Sequence, residues 1–540
     1  MSGWHEARAA VLAAALAATI ALLIWAYGTA LRAPALGLYH DDGVYAVTAQ
    51  ALATGRGYRI VSLPREIPQT KYPILFPALL AAVWKIYPRF PGNLVWLKLV
   101  PFLAAILWGA LAYRLIRAKT GSAGIAAALT TLFAISPWVL FLGTTLLSET
   151  LFAALTTGAL LVLGRVDEGH CGWREMAGAG ALTGAAFLTR TAGAAGILAG
   201  VLVIGMRAGW RRALGFLAVA GAFSVPWLVW QIRGWQAAGP LEAYYAAANY
   251  GQWDIVFHFT AAQKMTILGQ NLLGAWLSPA GLAGVPATRW GAGLAILAGG
   301  LVAAGWWRRA VGKRGAAEIL AAIYTAMIVT WAWPPERFLA PLWPVFLLYG
   351  YEGARHFCRR LARIARGPRV ALAMLAAAFA VSSVLTLVDM ARSAQQTGAV
   401  PVPNLAQDDW RETDKLLGWL DRHTPADAIF MGNLDPALYL YTGRKSVRGF
   451  PQDPYRLHYD SRPGDQPLGS AGEMRAAIGL SHAGYLICTP NLGFRESAPL
   501  AQLTQELVRG RSREFELVYE SGDARYRVYR IHSQVFALSL

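Results

Sequence analysis

The segment Ala9 to Gly55, AAVLAAALAATIALLIWAYGTALRAPALGLYHDDGVYAVTAQALATG, sets a long apolar run almost directly against two adjacent carboxylates. As a helix, Ala9–Ala30 is long enough to cross a hydrocarbon core of about 30 Å. Its apolar stretch is about twice that of a signal-peptide core, and no small-residue cleavage site precedes polar, foldable sequence. It is therefore expected to be a retained span. Beyond Arg32, the stretch from Asp42 to Thr54 reads as an amphipathic helix, with Tyr45, Ala49 and Leu52 at helical spacing and Gly55 as its stop. Asp41 and Asp42 thus lie beside a membrane surface, where ionisable groups are functional candidates by default.

Outward from this segment, apolar runs recur at about 94–116, 122–142, 149–164, 212–232, 291–307, 316–333, 338–353 and 370–389. The stretch 176–206 is too long for one span and carries Arg190 at its middle. Its flanks, Arg174 on one side and Arg207, Arg211 and Arg212 on the other, are both basic. Two short helices meeting near Arg190 satisfy both facts. The fold class read from this pattern is a polytopic α-helical membrane protein of about eleven transmembrane helices. A composition of 56% hydrophobic and 15% charged residues over 540 positions agrees.

The net charge of +18 does not point to nucleic acid, because the basic residues gather in short segments between apolar runs. Arg114, Arg117 and Lys119 form one such segment, and Arg308, Arg309, Lys313 and Arg314 another. The densest runs from Arg355 through Arg359, Arg360, Arg363 and Arg366 to Arg369. This distribution is what the positive-inside rule produces, with the N-terminus cytoplasmic and the C-terminus external. The first external loop, 32–93, breaks the rule with Arg32, Arg56, Arg59, Arg65, Lys71, Lys85 and Arg89. An anionic ligand such as a lipid phosphate would account for that surplus. Within the loop, Ile74–Tyr87 is too short to span and is expected to lie in the interface, anchored by Trp84, Lys85 and Tyr87. A second external loop is expected over about 233–290. Cys171, Cys358 and Cys488 match no metal spacing and no structural disulfide.

From about residue 390 hydrophobicity falls and acidic and basic residues mix. A transmembrane domain over 1–389 and an external soluble α/β domain over 390–540 are therefore expected. Its β-like runs are Ala428–Met431, Ala437–Tyr441, Tyr485–Cys488, Phe515–Tyr519 and Tyr526–Ile531, with a helix over Asp409–Asp421. It carries no nucleotide fingerprint and no nucleophile elbow, which suits a structural or acceptor-docking cap.

One carboxylate of the Asp41-Asp42 pair can serve as general base on an acceptor hydroxyl or amine, while the other raises its pKa or holds a cation. The plainer role is to cap the following helix. Glu149, in Leu147-Ser148-Glu149-Thr150, is either an ordinary helix start or a third acidic group that meets the aspartates. In the second case it would assist the acceptor or complete a divalent-metal site of oxygen ligands. Lys71, Arg190 and Arg337 stand where topology gives basic residues no reason to be. They suit a leaving phosphate, unless each pairs with a carboxylate such as Glu336 or snorkels to headgroups. His258 reads as a polar loop residue.

The order of these motifs resembles the GT-C superfamily of polyprenyl-phosphate-sugar-dependent glycosyltransferases, in particular its bacterial protein O-mannosyltransferase and aminoarabinose transferase group. The resemblance covers about residues 9–353. It rests on Asp41-Asp42 with Tyr45 and the Leu52-Ala53-Thr54-Gly55 stretch, Lys71-Tyr72-Pro73, Glu149, Leu188-Thr189-Arg190 and Arg337-Phe338-Leu339-Ala340-Pro341, where relatives carry Tyr for Phe338. It implies an inverting transfer of sugar from a polyprenyl-phosphate donor to a lipid, glycan or protein acceptor on the periplasmic face of a bacterial cytoplasmic membrane. Asp41 would be the base, Asp42 would orient the acceptor or bind a cation, and Glu149 would support the acceptor. Lys71, Arg190 and Arg337 would hold the donor phosphate. Metal dependence differs within the group, so Mg or Mn at Asp41, Asp42 and Glu149 is left open. The rivals are a flippase for a polyprenyl-linked lipid and a non-catalytic envelope scaffold. A flippase leaves the surface aspartates unexplained, and a scaffold would keep Asp41 and Glu149 apart.

Overall fold

The long apolar runs fold as helices, since hydrocarbon offers the backbone no outside hydrogen-bond partner. The computed structural model describes residues 2–235, 241, 245, 259–312, 314–361, 367–405, 409–448, 455, 458–459, 471–490, 497–509 and 511–532. His258, Lys313, Arg363 and Arg366 lie outside them. Among the described residues, seven helices are long and apolar enough to cross a membrane: Ala13–Arg32, Leu94–Thr120, Glu149–Asp167, Thr191–Ala208, Trp210–Gly234, Arg289–Gly312 and Ala373–Thr397. Leu16, Ile24, Leu103, Ile106, Ile232 and Leu385 on these helices are exposed, an arrangement suited to lipid. The chain is a multi-pass membrane protein.

The apolar run expected over about 122–142 forms two helices, Ala123–Ala134 and Pro137–Thr144, bent by 62°; counted as one span they make an eighth crossing. Pro137 has no N–H to continue the ladder and instead opens the second piece. At the break, Ser136 donates its hydroxyl proton to the Leu282 carbonyl. Trp173–Thr189, Ala316–Val329 and Trp343–Leu361 form at three more of the expected runs but are too short or too polar to count as crossings by length and hydropathy, so about eleven spans were expected and seven or eight qualify among the described residues. Trp173–Thr189 does end at Arg190, and the next helix begins after a single 3-10 turn, Thr191–Gly193.

The second loop differs from expectation, because it holds the helix Ala261–Leu282. Its start is a Thr260–Gln263 capping box. Asn271 on this helix donates to the carbonyls of Val329 and Trp331, at 3.2 and 2.7 Å.

The helix Asp41–Ala53 was expected to be amphipathic but is buried on nearly every side. Tyr45, Ala46 and Ala49 pack with Phe76, Leu80 and Trp84 of the helix Leu75–Ile86. Val47 and Ala51 pack with Ile60, Met431 and Val447. The C-terminal sheet therefore covers the face that would otherwise meet water.

That sheet has five strands: β1 Ile429–Gly432, β2 Lys445–Val447, β3 Tyr485–Cys488, β4 Phe515–Glu520 and β5 Arg527–Ile531. Their order is β2-β1-β3-β5-β4. β1 runs parallel to β2 and β3, and β5 antiparallel to β3 and β4. The expected strand Ala437–Tyr441 is instead part of the helix Asp435–Thr442. Its alternating Leu and Tyr suggest β structure, but Pro436 fixes a helical first turn and Gly443, at φ 74°, closes the last.

Small residues let two of the membrane helices touch backbone to backbone. A Cβ at Gly305 would fall 2.0 Å from the Tyr349 carbonyl oxygen, and one at Gly353 would fall 2.0 Å from that of Leu301. Gly312 has nothing within 4 Å. Gly353→Val is expected to destabilise the protein by roughly 1–3 kcal/mol or more through overpacking, with Gly312→Ala neutral. Thermal melts in detergent test this, and equal melting of the two variants would contradict the close crossing.

Candidate active site

Five chain segments converge below the sheet. Asp41 is the first residue of Asp41–Ala53, and Glu149 the first of Glu149–Asp167. Tyr72 precedes the helix Leu75–Ile86, Arg190 sits at the break between two membrane helices, and Arg337 lies on the single turn Glu336–Leu339. Each charged group thus stands at an element's end, where the chain leaves regular structure and a side chain can point inward.

Arg337 joins the two acidic groups. Its Nη2 donates to Asp41 Oδ2 at 2.9 Å, and its Nε to Glu149 Oε1 at 2.6 Å. Arg190 Nη1 lies 2.9 Å from the same Glu149 oxygen. The Tyr72 hydroxyl donates to Asp41 Oδ1. Both guanidinium groups lie over the Phe338 ring, at 5.6 Å for Arg190 and 5.8 Å for Arg337. Phe338 therefore supplies a π face to the two cations. Lys71 Nζ lies 5.2 Å from the centre of the Tyr72 ring.

Several plainer readings of the sequence fall away. Ser148 does not cap its helix; its hydroxyl is shared by the Tyr45 hydroxyl at 2.9 Å and Arg190 Nη1 at 3.2 Å. Arg337 pairs with Asp41 and Glu149 rather than with adjacent Glu336. Part of the basic surplus in the first loop is internal, because Glu66 takes Arg56 and Lys445 as ion-pair partners.

The adjacent aspartates face different ways. Asp42 is 3% exposed and turns back on the loop, accepting the Gly37 amide at 2.7 Å and the Tyr39 amide at 3.1 Å. Burial pushes its carboxyl up to about 6; the amides of Gly37, Gly43 and Tyr39 resist this rise, and the Asp41 charge adds to it. Burial would raise Asp41 as well, but Arg337, Lys71 and the Tyr72 hydroxyl outweigh it and hold that carboxyl well below the usual range. The carboxylates expected to hold any cation therefore do not converge, since Arg337 stands between Asp41 and Glu149. Among the described residues, no group of three His, Cys, Asp or Glu gathers as a metal site.

The cluster is closed on one side and open on the other. Glu149 is almost wholly buried, whereas the Asp41 side chain keeps 23% of its surface. Glu149 Oε2 is buried and finds no hydrogen-bond partner among the described residues, so one acceptor of the cluster is unmet. Arg190 and Arg337 both converge on Glu149, and Lys71 lies close enough to lower the Asp41 carboxyl.

The chain before Asp41 is bent unusually. His40 adopts φ 58°, ψ −55°, and the Tyr39 carbonyl accepts the Asp41 amide at 2.6 Å. This is a γ-turn of the rare positive-φ kind, which costs of order 1–3 kcal/mol and persists only where its surroundings hold it. Sequence reasoning missed His40, Tyr45, Tyr72 and Ser148 as members of the site. Tyr72, His40 and Ser148 adjoin residues it had singled out, whereas Tyr45 was read for its helical spacing and as part of the resemblance, with no role in the site.

No protein-family model matches the chain, and no curated protein matches it in sequence. Solved structures do match. ArnT from Cupriavidus metallidurans in the apo state is 12% identical and superposes with a TM-score of 0.54, over 97% of this chain and 99% of that one. The same protein bound to undecaprenyl phosphate gives 12% identity and a TM-score of 0.55, over 96% and 98%. The Archaeoglobus fulgidus oligosaccharyltransferase in the apo form gives 14% and 0.51, over 95% of this chain and 74% of that one. The chain has the GT-C fold.

Asp42 provides a pH test of this geometry. Its carboxyl titrates near 3.8 when unfolded and near 6 when folded. Below the first value both states are protonated; between the two the unfolded state ionises first; above the second the difference is constant. The Asp42 contribution therefore falls as pH rises through this window, by on the order of 3 kcal/mol. Burial holds the neighbouring His40 down to about 4, which works in the opposite direction over the same range, so the readout is the difference: from pH 4 to 7 the melting temperature of wild type should fall relative to that of Asp42→Asn. Parallel curves would mean that Asp42 is not buried in this way.

Proposed function

We propose that the chain is an inverting glycosyltransferase, moving a sugar from a polyprenyl-phosphate donor to an acceptor on the external face of a bacterial cytoplasmic membrane. The observation that carries this reading is the Asp41–Arg337–Glu149–Arg190 cluster. A scaffold has no need to bury such an array, because buried charges are costly unless paired. The fold is shared with a protein bound to undecaprenyl phosphate, which supports a polyprenyl-phosphate lipid as the donor. The N-terminus would then be cytoplasmic and the sheet external.

The donor phosphate binds Arg337, Arg190 and Lys71. The acceptor hydroxyl or amine approaches Asp41, the more open carboxylate, and Glu149 Oε2 accepts a hydrogen bond from the incoming ligands. Asp41 takes the acceptor proton as the acceptor attacks the anomeric carbon. The bond from that carbon to the phosphate oxygen breaks, and its electrons stay on polyprenyl phosphate. One displacement inverts the anomeric centre. Phosphate leaves readily, so the site needs fixed positive charge more than a strong acid.

Without ligand, Asp41 is a poor base because Arg337 holds its carboxyl low. A donor phosphate competes for that guanidinium and loosens the pair. Base strength at Asp41 therefore rises only once a donor is in place, which protects the site from idle proton transfer.

The test uses purified protein in lipid nanodiscs with a panel of radiolabelled polyprenyl-monophosphate sugars and crude envelope acceptors. Wild type should transfer one sugar, while Asp41→Asn still binds that donor but turns over at least about 100-fold more slowly. Failure of every donor to bind or react would sink the transferase reading and favour lipid flipping.

A further inference from the structure

We infer that the C-terminal sheet region is a working part of the site, in which Asp435 acts as a positioning residue that holds the His40 γ-turn and so aims Asp41. This rests on Asp41 being the reacting carboxylate.

The helix Asp435–Thr442 lies against the turn with no room to spare. A Cβ at Gly37 would fall 2.6 Å from Ala437 Cβ, and one at Gly43 would fall 2.7 Å from Pro436 Cβ. These two glycines bracket His40. The Tyr441 hydroxyl donates to the Pro34 carbonyl at 3.0 Å. The turn is thus gripped from outside by this helix and from inside by Asp42, which ties the amides of Gly37 and Tyr39.

Asp435 is fully buried, and its Oδ1 lies 3.6 Å from His40 Nε2. The carboxylate is itself held on several sides. Its Oδ2 accepts the Tyr245 hydroxyl at 2.6 Å, and Arg448 Nε lies 3.5 Å from its Oδ1. The Arg448 amide donates to the Tyr245 hydroxyl at 3.0 Å, and Arg448 Nη2 to the Asn433 carbonyl at 2.9 Å. Such a network fixes one carboxylate in one place. The group it fixes touches the residue whose backbone is strained, next to the reacting aspartate. A cap that only docked an acceptor would not need a buried charge there.

The strain explains why the device matters. A non-glycine residue at φ 58° relaxes when its surroundings let go, and relaxation at His40 swings the Asp41 carboxylate away from Arg337. Small misplacements of a reacting group cost large factors in rate. Glycine accepts positive φ without that strain, so His40→Gly should make the turn less dependent on Asp435.

The test uses the full chain in nanodiscs, with Asp435→Ala, His40→Gly and the double variant. Hydrogen exchange of peptides covering 36–46 is expected to rise in Asp435→Ala, with β1 and β3 peptides unchanged. The turnover number should fall about tenfold or more, while undecaprenyl phosphate binds no more than about threefold more weakly, since an Arg337 released from Asp41 is freer to take the phosphate. The double variant should be no worse than His40→Gly alone, since two changes acting through one contact are not additive. Additive losses, or unchanged exchange over 36–46, overturn the inference. If Asp435→Ala loosens β1 and β3, the isosteric Asp435→Asn replaces it under the same criteria. If wild type transfers no sugar, the transferase reading fails, and the exchange pattern still decides whether Asp435 holds the turn.

Discussion

A single guanidinium shared by two carboxylates organises the outer end of the helical bundle. Arg337 can bond Asp41 and Glu149 together only if three distant pieces of chain end at one point, with Arg190 arriving from a fourth. Charges this far from bulk water are tolerated when paired and hydrogen-bonded, and are costly otherwise. The pairing therefore constrains everything around it. The Glu149 helix must start where it does, the break at Arg190 must stay a break, and the turn Glu336–Leu339 must interrupt two membrane helices. Phe338 completes the arrangement by offering a ring to both cations.

The same pairing sets the chemistry. A carboxylate bound to arginine is charged but a poor base, and an arginine bound to two carboxylates is only partly available to a phosphate. The ligand-free site holds its reacting groups against one another. Under the proposed function, a donor phosphate that takes up Arg337 would free the base in the same act, so one exchange of partners would both bind the substrate and activate the site.

Much of this was legible in the sequence because hydrocarbon imposes strict rules. Long apolar runs, basic segments between them, and Asp41, Glu149, Arg190 and Arg337 out of place for those rules could be read directly. What stayed hidden depended on tertiary contacts or on short signals. The helix Asp435–Thr442 read as a strand because alternating Leu and Tyr outweighed a Pro start and a Gly stop. The kink before Pro137 and the Thr260–Gln263 box were local signals passed over inside longer patterns. The adjacent aspartates looked equivalent in sequence, yet the loop's bare amides at Gly37 and Tyr39 claim Asp42 and leave Asp41 for the ion cluster. Asp435 lies nearly 400 positions from His40, and nothing in either neighbourhood announces the other.

That separation has a consequence for how the site forms. The membrane helices alone can bring Glu149, Arg190 and Arg337 together, since these residues lie at ends and breaks of that bundle. The turn at His40 is different, because its outer support comes from the sheet region near the far end of the chain. Closing so long a loop costs entropy that only a large buried interface repays, and the buried helix Asp41–Ala53 with its packing on Met431 and Val447 provides one. Under the proposed function, the aim of the reacting carboxylate thus depends on the packing of the C-terminal region against the first loop. A strained turn at that junction makes docking and activity one event: a chain whose sheet has not seated keeps its arginines in place but leaves Asp41 without its aim.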